Sequence, residues 1–426
     1  MTTRTRTSHE GIYHKTVLSN GLRIVTETIP SVRSVTIGIW VDVGSRHEQA
    51  KLNGVTHFIE HMAFKGTKRR TAKQIAAELE SHGGSLNAFT SREHTCFAAR
   101  VLDDHLNIAV DVLADITCNA TLTPLNIKRE KMVICEEIKE MLENPSDHIH
   151  DLFARTFWGT HPLGQPILGT KESVTGIQRN SIVDYWKNHY RAGSVVVAAA
   201  GRVSHNRLVQ LVRQKLDFPD GKTEQPEKAY RPQEQRMKLA ANNNSQTHLC
   251  LGYPGVEYNS KLKMAVLALN TYLGGGMSSV LFQKIREEQG LAYATYTFHD
   301  FYRDAGVFGA YLGTDKKHLQ QAVDIILTEL ERVRKRRIPD AKLDAIKSQM
   351  KGSLALGMES TTSRMNRLAR HELMLGDYEP YRKTLRVIDK ITSSEILEVA
   401  NYVFDNSTMA IAVLGPADKK DIDNLF

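Results

Sequence analysis

The run Ser194-Val195-Val196-Val197-Ala198-Ala199-Ala200-Gly201 returns 214 residues later as Thr408-Met409-Ala410-Ile411-Ala412-Val413-Leu414-Gly415. Both are apolar, strand-prone segments that close on glycine and follow an aromatic residue, Tyr190 in one case and Phe404 in the other. A second pair, His105-Leu106-Asn107-Ile108-Ala109-Val110-Asp111-Val112 and His318-Leu319-Gln320-Gln321-Ala322-Val323-Asp324-Ile325, repeats at 213 residues, half of a 426-residue chain. Two matches in nearly one register imply duplication of a single α/β unit. Each half runs through strands and helices without strict βαβ alternation, which favours α+β over a doubly wound sheet. The expected architecture is two tandem homologous α/β-sandwich domains, 1–217 and 241–426, each a mainly antiparallel sheet packed by helices. The polar, proline-bearing stretch 218–240 reads as the linker between them.

Composition narrows the function classes. Aliphatic content is ample for packed cores, and four scattered cysteines, Cys96, Cys118, Cys135 and Cys250, form no C-x-x-C pair, which fits reduced thiols in a cytoplasmic protein. No apolar core follows the positive N-terminus, and no apolar run is long enough to span a bilayer, so neither export nor a membrane partner is expected. The Arg- and Thr-rich opening, residues 1–10, leaves room only for a short targeting arm. The formal charge of +8 comes partly from runs such as Lys65-Gly66-Thr67-Lys68-Arg69-Arg70. No stacking aromatics or recognition helix accompany them, so they read as solvated faces and no nucleic-acid partner is expected.

The chemistry concentrates in Gly54-Val55-Thr56-His57-Phe58-Ile59-Glu60-His61-Met62-Ala63-Phe64. On a helix His57 and His61 stand at i and i+4 with Glu60 between them, so all three leave one face within a turn. Two imidazoles supply two of the three protein ligands of a catalytic zinc, and the carboxylate can handle the proton of a water beside it. The order His-x-x-Glu-His is the inverse of the commoner His-Glu-x-x-His. A further helix is expected over Thr71–His82, stopping at Gly83-Gly84, then two extended segments across Ser85–Arg100 around a polar turn. Candidates for a third ligand lie on the helix that follows Pro124. Glu130 and Glu137, seven apart, share a face, and Glu136 is turned about 100° from Glu137. Periodicity alone fits a solvated acidic helix equally well. In the second half, Gly274-Gly275-Gly276-Met277-Ser278-Ser279 lacks the Lys and Ser/Thr of a phosphate loop, so nucleotide binding is not expected.

These residues, from Leu18-Ser19-Asn20-Gly21-Leu22-Arg23 onward, resemble the pitrilysin/insulinase metallopeptidase family, and most its short-chain branch, which includes the β subunit of mitochondrial processing peptidase. In that family the third zinc ligand follows the second histidine by about seventy-six positions, which falls on Glu137, and Glu130 matches a second acidic residue that supports the site. The resemblance implies one Zn²⁺ per chain held by His57, His61 and Glu137, with Glu60 as the base in peptide hydrolysis. It makes Gly83-Gly84-Ser85-Leu86-Asn87-Ala88-Phe89-Thr90-Ser91 an edge strand on which substrate is laid, with Asn87 near the scissile bond and Ala88 and Phe89 also binding substrate. Arg286 and Tyr293 match a pair that holds substrate or stabilises the oxyanion. Long members enclose a peptide or presequence-like segment between two halves, each the size of this chain, so a homodimer is implied, or a heterodimer with a non-catalytic homologue. Some relatives bind peptides without cleaving them, and these usually lose a ligand or the base.

Overall fold

A computed structural model describes residues 2–8, 11–242, 244–418 and 420–421; Met1, His9 and Glu10 of the opening arm lie outside the described residues. In the first half the chain runs β1 (Thr2–Ser8), β2 (Gly11–Val17), β3 (Arg23–Thr28), β4 (Ser34–Val41), α1 (Val55–Ala63), α2 (Ala72–Glu80), β5 (Ser85–Thr90) and β6 (Thr95–Leu102). Then come α3 (Leu106–Cys118), α4 (Pro124–Glu143), α5 (Pro145–Trp158), α6 (Lys171–Gly176), α7 (Arg179–His189), β7 (Val195–Gly201) and α8 (His205–Lys215). The second half holds β8 (Arg236–Ala241), β9 (Thr247–Pro254), α9 (Lys263–Gly274), β10 (Ala292–Phe301), β11 (Gly306–Thr314), α10 (Leu319–Lys335), α11 (Asp340–Gly357), α12 (Thr361–Leu375), α13 (Tyr381–Lys390), α14 (Ser393–Val403) and β12 (Ala410–Gly415). Among the described residues no helix is long and apolar enough to cross a membrane.

The duplication is written into the strand orders. One sheet runs β1-β2-β3-β7-β4-β6-β5 and the other β10-β11-β9-β12-β8, so β5-β6-β4-β7-β3 and β10-β11-β9-β12-β8 are the same arrangement. Each is antiparallel except for one parallel pair, β3 with β7 and β8 with β12. The glycine-ended runs are these inner strands, buried along their whole length, and the His-Leu repeats open α3 and α10. The N-terminal sheet gains β1 and β2, so Thr2–Ser8 of the opening arm forms an edge strand.

The compact units do not coincide with the two halves of the sequence. The first comprises segments 1–138, 165–227 and 355–380; the second comprises 139–164, 228–354 and 381–426. A sheet with two apolar faces needs cover on both, and in each unit one cover is a helix from the other half of the chain. In the first unit α12 brings Met365, Leu368, Ala369 and Leu373 against Trp40, Val196, Ala198 and Ala200. Small residues make room for it: a Cβ on Gly38 would stand 2.8 Å from the Met365 sulfur, and Trp40 Nε1 donates to that sulfur at 3.1 Å. In the second unit α5 plays this part, with Ile149, Phe153 and Phe157 on Cys250, Ala410, Ala412 and Leu414. The stretch expected to be linker ends inside a sheet, because Arg236–Ala241 pairs with β12.

Candidate metal centre

The helix that carries the paired histidines starts under constraint. Gly54 has φ +91°, and a Cβ there would lie 2.6 Å from the Leu168 carbonyl oxygen, so glycine alone fits. Gly54 offers no side chain to cap the first turn. Glu48 does so from a distance: Gly54 N–H donates to Oε2 at 2.7 Å, Thr56 N–H to Oε1 at 2.8 Å and Asn53 Nδ2 to Oε2 at 2.9 Å. Burial pushes the Glu48 carboxyl up to about 7, against the pull of these donors. Val55, Phe58, Ile59 and Met62 sink into the core, which turns Glu60 and His61 to the other side.

His57, His61 and Glu137 converge, with one ligand atom from each lying within 4.8 Å of the others. Glu137 Oε1 is 3.8 Å from His57 Nε2 and Oε2 is 3.5 Å from His61 Nε2. The imidazole ring centres are 4.5 Å apart. Burial and the neighbouring His61 push His57 down to about 4, so its imidazole is neutral near pH 7. Hydrogen bonding to His61 holds the Glu137 carboxyl below its ordinary value, against burial. Against burial, Glu137 and Glu130 raise the His61 pKa, so His61 gives up a proton to bind a metal. Two imidazole nitrogens and one carboxylate oxygen facing a common point then form a donor set that fits zinc.

Glu130 is almost fully buried behind His61, with Oε2 3.1 Å from Nδ1 and Oε1 3.0 Å from Lys65 Nζ. A carboxylate only accepts, so Nδ1 of His61 donates to Glu130, and on metal binding the proton that Nε2 shares with Glu137 would leave and make Nε2 the ligand atom. Glu136 is exposed and takes no part in the cluster. Of the three glutamates weighed on α4, the fold thus brings Glu137 to the histidines and Glu130 to the back of one of them.

Glu60 points to β5, where the Thr90 hydroxyl donates to Oε2 at 2.6 Å. Burial raises the Glu60 carboxyl while this hydrogen bond pulls it down. β5 is the edge of its sheet, paired only with β6. Asn87 is exposed there, with its Oδ1 accepting the Ala88 N–H at 2.9 Å; Ala88 is half-buried, and Phe89 stands edge-on to Trp40. Arg286 and Tyr293 belong to the second unit and meet each other, the guanidinium 5.4 Å from the tyrosine ring centre and 4.8 Å from that of Phe282. Tyr293 is 75% exposed. Sequence reasoning missed Glu48, Lys65 and Thr90. Only Thr90 left a signal, since strand parity puts it on the same face as Leu86 and Ala88, opposite Asn87 and Phe89.

A family model described as Insulinase (Peptidase family M16) matches residues 23–171, and one described as Peptidase M16 inactive domain matches 176–350. An uncharacterized zinc protease of Bacillus subtilis, YmxG, is 39% identical over 93% of this chain and 97% of its own. The chain belongs to the M16 peptidase family. An uncharacterized zinc protease of Streptomyces coelicolor is 38% identical to this M16 chain over 97% of it and 92% of the relative. The fold is shared with a protease from Helicobacter pylori, at a TM-score of 0.90 and 22% identity over 96% of this chain and 100% of that one. It is shared too with a peptidase M16 inactive domain structure from Pseudomonas fluorescens, at 0.87 and 20% over 95% and 98%. The first matched segment contains His57, Glu60, His61, Glu130 and Glu137, and among the described residues the second contains no comparable cluster.

Proposed function

We propose that the protein is a zinc-dependent endopeptidase in which His57, His61 and Glu137 hold one Zn²⁺ and Glu60 is the general base. The observation that carries this reading is the convergence of those three ligand atoms within 4.8 Å beside the half-buried carboxylate of Glu60, which is not one of them. Zinc, when bound, supplies a Lewis acid that polarises the scissile carbonyl. Glu60 takes the proton of the attacking water and passes it to the leaving amine, a role suited to a carboxyl raised by burial. Glu130 orients His61 and fixes its tautomer. The outer edge of β5, through Asn87, Ala88 and Phe89, pairs with an extended peptide by main-chain hydrogen bonds, which ask little of substrate sequence.

Arg286 and Tyr293 are read as holding the peptide from a second copy of the chain, so the working form is a homodimer enclosing its substrate. Their support is the family resemblance and an exposed tyrosine ring beside a guanidinium in the unit without the cluster. A reducing cytoplasmic setting accords with four free cysteines, of which Cys96 and Cys250 are buried. The experiment is turnover of a quenched peptide by purified protein. Activity that falls by roughly 10²–10⁴-fold in Glu60→Gln supports the enzyme. Inert wild-type protein that binds peptide supports a non-catalytic relative instead.

A further inference from the structure

We propose that Thr90 is a positioning residue for Glu60, pinning one carboxylate oxygen so that the other is presented to the reacting water. This rests on the reading of Glu60 as the base. The terminal torsion of a glutamate is broad and nearly two-fold, so burial alone does not choose which oxygen faces the substrate. Here the choice is made by one contact, the Thr90 hydroxyl on Oε2 at 2.6 Å. Among the described residues no lysine or arginine pairs with Glu60, whereas Glu130 is paired with Lys65.

The chemistry of the donor matters. A cation at this point would hold the carboxylate ionised and blunt it as a proton acceptor, while a neutral hydroxyl orients it and leaves it basic. The donor is itself held in place. Thr90 is the last residue of β5, opposite Thr95 of β6, and the turn beyond it is closed by Ser91 N–H to the His94 carbonyl at 2.8 Å and Ser91 Oγ to the same oxygen at 2.9 Å. Thr95 is fastened to the Val43 carbonyl at 2.9 Å. The strand whose free edge suits a peptide therefore also carries the group that aims the base, and a peptide seated along Asn87–Phe89 lies next to that group.

The test compares wild type, Glu60→Gln, Thr90→Val and Thr90→Ser for kcat and KM on a quenched peptide, with zinc content and melting temperature of each. Valine keeps the shape of threonine and removes the donor; serine keeps the donor. The expected result is a kcat lowered roughly ten- to hundredfold in Thr90→Val with KM, zinc content and melting temperature unchanged, and a kcat within about threefold of wild type in Thr90→Ser. A Thr90→Val kcat within about twofold of wild type, a defect confined to KM, or a serine variant as slow as the valine one overturns the inference while leaving Glu60 as base. A wild type without zinc or turnover, or an undiminished Glu60→Gln, instead removes the reading beneath it, and the inference with it. Should Thr90→Val fail to fold, Thr90→Ala is put to the same measurements.

Discussion

The carboxylate of Glu48 accepts the backbone N–H of Thr56 at 2.8 Å, and so caps the helix of the paired histidines from outside that helix. Removing it strands the buried N–H groups of Gly54 and Thr56 and leaves the Asn53 amide only the Pro166 carbonyl, at 2.9 Å. Glu48→Ala should cost roughly 2–4 kcal/mol, the scale of a lost cap plus unsatisfied buried donors. Calorimetric melting of the two proteins side by side checks this; an unchanged melting temperature would show that the first turn finds other acceptors.

Glu130 fixes the ring of His61 through Nδ1. Glu130→Ala is expected to weaken metal binding by about 10–100-fold, since the ligand loses its orientation and its tautomer is no longer set. Competition with a graded series of chelators measures the affinity. Equal retention of metal by the variant would make Glu130 a partner of Lys65 and nothing more.

His205 sets a pH dependence of stability. It lies buried between the Thr16 and Thr26 hydroxyls, at 2.8 and 2.9 Å, and stacks on His14, and burial followed by repulsion from His14 pushes it from near 6.5 down to about 4. The unfolded chain binds a proton there below pH 6.5 that the folded chain refuses until about pH 4. Stability should therefore be intact above 6.5 and fall as the pH drops from 6.5 to 4. Melting curves across that range should flatten in His205→Gln, and an identical slope in both proteins would assign the acid sensitivity to other groups.

If the working form is a dimer whose Arg286 serves the other subunit, two dead variants should rescue each other. Glu60→Gln and Arg286→Ala, unfolded and refolded together, give hybrid dimers with one complete site, and activity of roughly a quarter of wild type is expected for random pairing. No recovery on mixing, with both parents folded, would argue that the pair does not act in trans.

Much of this molecule was legible before any coordinates. The two glycine-ended repeats foretold β7 and β12, which hold corresponding inner positions in their two sheets, because such apolar runs are buried on both faces. His57, Glu60 and His61 were legible because helical spacing is local. Glu137 was not, on residues alone: Glu130, Glu136 and Glu137 were all candidates on α4, and only the family spacing separated them. The helices that cover each sheet from the opposite half were hidden for a different reason. Nothing near Met365 encodes its contact with Trp40, 325 residues away. The Thr90 hydroxyl meets Glu60 across 30 residues, a partner that strand parity does not name, and Glu48 reaches Gly54 and Thr56 across an irregular loop, where no periodicity reports a contact.

Metal analysis of Glu137→Gln beside Glu136→Gln goes to the centre of this account, since the two positions are adjacent in sequence and differ only in what the fold brings to them. Wild type and Glu136→Gln should each carry about one zinc per chain, while Glu137→Gln loses it and its peptide turnover together. Zinc-free wild type, or a Glu137→Gln protein that keeps a full complement of zinc, would contradict it.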